Sequence, residues 1–311
     1  MKLHILFENE EWMPPLRKAL ADRGIETAEH YMVDNRINIG CSPGPGVYLN
    51  RMSPSSHTRG HQGGLVFSRE LIYQLEQCGS RVINGSGPAA MEVSKLRQHA
   101  ALEAFGIRTP KTIGLMGKTG LKDAAREMAF PFITKHNQGG KGLGVRLFND
   151  YDAFDEYVDS PDFEDSPDGI TLIQQYIQPR GEFITRVEIV DGAFLYAIAA
   201  NTSQGFELCP ADPCEVGEDF CPVGDSGVFS LRKDIRSSDP LVRKLIEFTC
   251  LHELDIAGIE WVEDADGERF VYDINGTTNF NSDLEAEHGL NGMGAVADLC
   301  ARELAQLKAA A

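Results

Sequence analysis

Two carboxylates and one amide stand at spacings that suit a hard cation. In "GIEWVEDADGERFVYDINGTTNFN" Glu260 sits in one apolar run, and Asp273 and Asn275 sit in the next, with the turn signal Asp266–Gly267 between them. Both runs read as strands of one hairpin. Asp273 and Asn275 are two apart, so their side chains leave a strand on the same face, where a cross-strand Glu260 can meet them. Two carboxylates and an amide oxygen are ligands for magnesium bridging phosphates. Acidic groups gathered there without a cation would repel one another.

A second stretch, "KHNQGGKGLGVRLF", places Gly139, Gly140, Gly142 and Gly144 between Lys135 and a short apolar run, with Lys141 inside it. A Walker loop needs Ser or Thr after Gly-Lys, and here Gly142 follows Lys141. A dinucleotide fingerprint opens a helix, whereas "VRLF" reads as a strand. Strand, glycine loop and strand make a hairpin flap whose backbone N–H groups can cradle phosphate. Lys135, at the end of the strand that enters the loop, reaches phosphate as a point charge. Alone, this stretch reads as a flexible hairpin with an exposed lysine. Beside the oxygen cluster it reads as half of a nucleotide site.

The elements that must carry these residues can be outlined. The first ninety residues alternate strands and helices: Lys2–Phe7, a helix entered through Pro14–Pro15, "GVYLN", the helix "SRELIYQLEQCG" and the strand "RVIN". That alternation predicts a small parallel α/β domain. Residues 50–64, "NRMSPSSHTRGHQGG", read as a polar loop at the carboxyl end of a parallel strand, where ligands sit. Arg51, Ser55, Ser56 and Arg59 in that loop, with Asn279 further on, are candidate substrate contacts; a solvated surface loop is the equal alternative. Ser94 is placed to cap a helix that runs to Phe105. From Ile170 onward strands dominate, with hairpin turns at Asp191–Gly192 and Asp266–Gly267, a helix near Pro240–Leu254 and a last helix near Met293–Lys308.

Composition sets limits. A net charge of −18, from 47 acidic and 29 basic residues, makes a poor surface for nucleic acid. The chain shows no run of ~18 apolar residues and no basic-then-apolar opening, so the expectation is a cytoplasmic protein without membrane contact. Seven cysteines include no CxxC pair, and Cys209, Cys214 and Cys221 match no standard zinc spacing. His57 and His61 are discounted as a metal pair in the same way.

Taken in order, these motifs resemble the ATP-grasp superfamily over roughly residues 84–284. "NGSGPAAMEVSKLRQHAALEAFGIRTPKT" looks like the segment whose early lysine, here Lys95, contacts ATP. "FPFITKHNQGGKGLGV" looks like the second lysine and the flap. "IQQYIQPRGEF" looks like the hinge that holds adenine at Gln175, Tyr176 and Ile177, with Glu182 on the ribose hydroxyls. Glu260, Asp273 and Asn275 match the magnesium ligands, at the separations found in D-alanine–D-alanine ligases. Within the superfamily the chain looks most like the ribosomal-protein glutamate ligase (RimK-like) branch. It departs in two places: "GTTNFNSD" follows Asn275 in place of "x-S-P-G", and Ala199 stands where a phosphate-contacting Arg is often found. Arg186, Arg180 and Lys141 are the candidates to compensate.

The resemblance implies an α/β ATP-grasp fold in three parts: residues 1–92 a small parallel domain, 93–173 a lobe with the flap, and 174–311 a lobe with the magnesium site. It implies ATP and magnesium, two ions, with manganese able to substitute. The activity implied is carboxylate–amine ligation through an acyl phosphate on an amino acid or small peptide, with Arg186, Lys135 and Lys141 in the chemistry. A phosphotransferase and a non-catalytic ATP-binding protein are the alternatives. Small molecules or short peptides are the expected partners, and a homo-oligomer is compatible.

Overall fold

The computed structural model describes residues 2–39, 45–140, 142, 144–202 and 229–310. Lys141, Cys209, Cys214 and Cys221 lie outside the described residues.

The first sheet is parallel, in the order β2-β1-β3-β4: β1 Leu3–Phe7, β2 Thr27–Tyr31, β3 Val47–Arg51 and β4 Arg81–Ile83. Helices α1 Pro14–Ala21 and α2 Gln62–Gln77 make its crossovers. Leu3, Ile5 and Phe7 alternate toward one core, and Leu6 faces the opposite one with Leu65 and Ile72 of α2. Residues 50–64 are more ordered than a polar loop: Pro54–Arg59 form a 3-10 turn capped by Ser53, and α2 begins at Gln62. The Ser53 hydroxyl accepts from Ser55 N, which supplies the N-terminal partner such a turn needs.

Two helices lead on, α3 Ser86–Glu92 and α4 Lys95–Ala104. Ser94 caps α4 as its type predicts, its hydroxyl accepting from Arg97 N at 3.3 Å. The second sheet is antiparallel, β5-β8-β6-β7, from β5 Thr112–Met116, β6 Phe132–His136, β7 Arg146–Phe148 and β8 Ile170–Gln175. Strands β6 and β7 pair through Thr134 and Arg146, so the glycine stretch is a hairpin flap. Short helices α5 Leu121–Ala125 and α6 Tyr151–Asp159 cover an aromatic core of Phe132, Phe148, Phe154 and Tyr157.

The third sheet is also antiparallel, β11-β10-β9-β12-β13: β9 Phe183–Val190, β10 Ala193–Asn201, β11 Phe229–Leu231, β12 Ile256–Glu263 and β13 Arg269–Asn275. Asp191 and Gly192, at φ 57° and 66°, form the two-residue turn between β9 and β10 that the Asp-Gly dipeptide predicts. One face packs on α4 and α7 Pro240–Leu251 through Leu102, Val242, Leu245 and Phe248. The chain closes with α8 Ser282–His288 and α9 Gly292–Ala310. Val296, Ala297, Leu299 and Leu304 of α9 share one core with Leu3, Ile5, Leu16 and Leu20. The end of the chain thus completes the core of its beginning. Among the described residues no helix is long and apolar enough to cross a membrane.

Candidate functional site

Segments that follow strands of the first sheet, and strands of the second and third sheets, line one cleft. Strand β9 brings charge into it. Arg186 and Glu188 are both buried, on the face that Ile184 also uses, while Thr185, Val187 and Ile189 point the other way. Arg186 Nε donates to Glu188 Oε1 at 2.7 Å, and its Nη1 donates to Glu260 Oε1 at 3.0 Å. Its Nη2 donates to the Thr278 hydroxyl. Gly258 makes room for the guanidinium, since a Cβ there would collide with it.

Glu260 of β12 stands opposite Asp273 of β13, as strand alternation predicts. Between Glu260 and Trp261 the register slips by one residue, and Tyr272 is the extra one on β13. The bulge turns both Tyr272 and Asp273 to the cleft. Tyr272 OH donates to Glu260 Oε2 at 3.0 Å, and Lys95 Nζ, at the start of α4, is 2.8 Å from Asp273 Oδ1. Burial pushes the Glu260 carboxyl up, partly offset by Arg186. Burial also acts to raise Asp273, but Lys95 and Lys135 outweigh it and hold that carboxyl below its ordinary range. Glu260, Asp273 and Asn275 all line the cleft. Asn275 Nδ2 is buried without a hydrogen-bond partner. Two half-buried carboxylates and an amide side by side form an all-oxygen donor set that fits magnesium. Among the described residues no group of three or more His, Cys, Asp or Glu gathers to hold a metal, and this set has two carboxylates with an amide as its third donor.

Lys135, on β6, is buried, with its Nζ 5.4 Å from the Tyr272 ring centroid. Burial first, then the positive charge of Lys95, lowers its pKa to about 7. The flap leaves β6 through Asn137, a residue the motifs did not flag. Its side-chain oxygen accepts from Leu96 N at 2.9 Å and from Ser94 Oγ at 3.3 Å, and its Nδ2 donates to Asp168 at 2.6 Å. The flap base is thereby tied to the helix that carries Lys95. Gly139, Gly140 and Gly142 line the cleft, and Gly140 lies against Ser55 so closely that an added Cβ would stand 3.2 Å from the serine Cβ. Gly144 packs on the His136 ring instead. Ile133, Tyr176, Ile177, Ile184 and Val262 line an apolar slot beside Gln175.

This architecture has known counterparts. It matches a RimK domain ATP-grasp protein from Sphaerobacter thermophilus with a TM-score of 0.66 at 18% identity, over 96% of this chain and 98% of that one. It matches D-cycloserine synthetase with a TM-score of 0.67 at 17% identity, over 95% and 99% of the two chains. The chain has the ATP-grasp fold. In sequence it is 30% identical over 142 residues to a D-alanine–D-alanine ligase of Hydrogenovibrio crunogenus, an alignment covering 45% of this chain and 44% of that ligase. No protein-family model matches the chain.

Within the ATP-grasp frame the substrate candidates part company. Ser55 and Asn279 line the cleft. Arg51, Ser56 and Arg59 do not reach its lining: protein groups hold the two guanidiniums, and the Ser56 hydroxyl is buried without a hydrogen-bond partner. Arg51 is buried, with Nη1 donating to the Thr278 carbonyl at 2.9 Å and Nη2 to Asn279 Oδ1 at 2.6 Å. Burial lowers its pKa to about 10. Arg59 donates through Nε to buried Glu8 at 3.1 Å, which also meets His61 Nδ1 at 2.9 Å. The Arg59 guanidinium stacks 5.0 Å from the Trp12 ring centroid, and Trp12 does line the cleft. Trp12 follows the first parallel strand, a position that could have marked it. Glu182 is exposed just before β9, its carbonyl accepting from Thr202 N at 2.8 Å; Thr202 lines the cleft and Glu182 does not. Of the residues expected to replace the missing arginine, Arg186 lines the cleft. Arg180 turns to Glu263 at 3.1 Å, in a separate groove.

Proposed function

We propose that the chain is an ATP-dependent carboxylate–amine ligase. The convergence of Lys95, Lys135, the glycine flap, Arg186 and the Glu260–Asp273–Asn275 oxygen set on one cleft carries this reading. The three-part division at residues 92/93 and 173/174 belongs to the same proposal; the first sheet ends before residue 92, whereas β8, which runs to Gln175, crosses the second boundary.

Adenine would occupy the apolar slot at Gln175–Ile177, and the exposed Glu182 carboxylate would take the ribose hydroxyls. Lys95 and Lys135 would hold phosphate oxygens, covered by the N–H groups of Gly139 and Gly140. Magnesium, held by Glu260, Asp273 and Asn275, would neutralise phosphate charge. The reaction begins when a substrate carboxylate oxygen attacks the γ-phosphorus and the bond to the β-phosphate oxygen breaks, leaving an acyl phosphate and ADP. Arg186, fixed at both ends by Glu188 and Glu260, faces the transferring group and does not reorganise as charge moves. An amine then displaces phosphate and an amide forms. The substrate half offers Trp12, Ser55, Thr277 and Asn279, which suits an amino acid or short peptide. The cytoplasm, where ATP is abundant, is the proposed location.

ADP release measured with a panel of amino acids and dipeptides, with and without an amine, tests the reading. Release that needs both substrates supports a ligase. Release with phosphorylated carboxylate or alcohol accumulating, indifferent to amine, would make it a phosphotransferase.

A further inference from the structure

Arg51 and Asn279 fix one another in a way that selects which polar atom faces the cleft. A guanidinium carries donors only, so the Asn279 atom that Arg51 Nη2 meets at 2.6 Å is the carbonyl oxygen. The amide nitrogen is therefore left for the cleft, which half-buried Asn279 lines. The segment around it is held at each residue. Asn84 Nδ2 donates to the Gly276 carbonyl at 2.8 Å, and buried Glu92 accepts from Thr277 N at 2.7 Å. A Cβ at Gly276 would crowd both Asn84 and Glu92, at 3.0 Å each. Thr277 Oγ1 donates to the Met52 carbonyl at 2.7 Å, and Thr278 Oγ1 donates to Glu188 at 2.9 Å. Strands β3 and β4 and helix α3 thus grip the turn that follows Asn275. A donor immobilised before charge develops is the arrangement that stabilises an oxyanion.

We infer that Asn279 is a catalytic residue of the ligation proposed above, and that Arg51 is its positioning residue. The inference rests on the ligase reading. When the amine nitrogen adds to the acyl-phosphate carbon, the carbonyl π pair moves onto oxygen, and the Asn279 amide donates to that oxygen. The oxyanion re-forms the carbonyl as the C–O bond to phosphate breaks, phosphate leaves with the bonding pair, and the amine proton passes to phosphate or solvent. This side-chain donor stands where the sequence carries "TTN" in place of the common Ser-Pro-Gly.

Hydroxylamine serves as the amine, with the amino-acid and dipeptide panel as carboxylates, and hydroxamate is read alongside ADP. Asn279→Asp keeps the shape and the Arg51 contact but removes the donor. It lowers kcat for hydroxamate roughly 100-fold or more, while the Mg–ADP Kd and the urea midpoint stay near wild type. Asn279→Ala, which adds no charge, loses kcat to a similar extent. Arg51→Lys loses kcat with little change in carboxylate KM, and adding Asn279→Ala to it costs little more. Wild-type turnover with Asn279→Asp and Asn279→Ala both within about threefold of it overturns the assignment alone. A wild-type protein that turns over no carboxylate overturns the ligase reading beneath it.

Discussion

Arg186 of β9 and Glu260 of β12 are register partners on neighbouring strands, and their side chains meet at 3.0 Å. Because Glu260 also faces Asp273 across the hairpin, one line of backbone pairing carries a cation, a carboxylate and a second carboxylate across the cleft floor. Lys95 closes the line at 2.8 Å from Asp273. Charges already arranged in a low-dielectric cleft act on phosphate without waiting for reorganisation.

The first prediction concerns the oxygen set. Asp273→Ala and Glu260→Ala should retain the fold by circular dichroism and lose kcat by about 100-fold or more, since phosphate charge is no longer neutralised. Magnesium titration checks the cause, because the variants should not recover at any concentration. Near-native activity of Asp273→Ala in magnesium buffer would place the metal elsewhere.

Lys135 gives a pH prediction. Its pKa of about 7 lies below the ordinary lysine value because of burial and Lys95, so it is charged below pH 7 and increasingly neutral above. Bound phosphate favours the charged form and raises the pKa in the complex. Affinity for Mg–ATP should therefore be full below pH 7 and fall as pH rises from about 7 toward the pKa of the complex, with proton uptake on binding. Titration calorimetry in buffers of different ionisation enthalpy measures that uptake. Lys135→Met should abolish this component, and a pH-independent affinity would sink it.

Glu182 tests the nucleotide orientation. Its Ala variant should raise the ATP KM while kcat changes by less than about twofold, because ribose contacts are uniform binding. An unchanged KM would remove the ribose from Glu182.

The Glu8–Arg59 pair is predicted to be structural. Glu8 is 2% exposed and holds both Arg59 and His61. Glu8→Ala leaves a half-buried guanidinium unpaired and should cost on the order of 3 kcal/mol by urea unfolding. A loss under ~0.5 kcal/mol would show the pair to be idle.

The sequence alone determined what depends on near neighbours. Two-residue spacing put Asp273 and Asn275 on one strand face, and Asp-Gly turns placed Glu260 opposite, because side-chain direction in a hairpin follows residue count. Ser94 announced its helix, and glycines between two strands announced the flap. Tertiary structure decided the rest. The bulge that swings Tyr272 to the cleft breaks the alternation that counting relies on. Arg51 looked like a free cation in a polar loop, yet its partner is the carbonyl of Thr278, 227 residues away. Arg59 likewise belongs to Glu8, 51 residues before it. Helix α9 completes the core of β1 from the opposite end of the chain. A charged side chain takes the partner that packing brings within reach, and that partner is set by how distant segments share a core rather than by spacing along the chain.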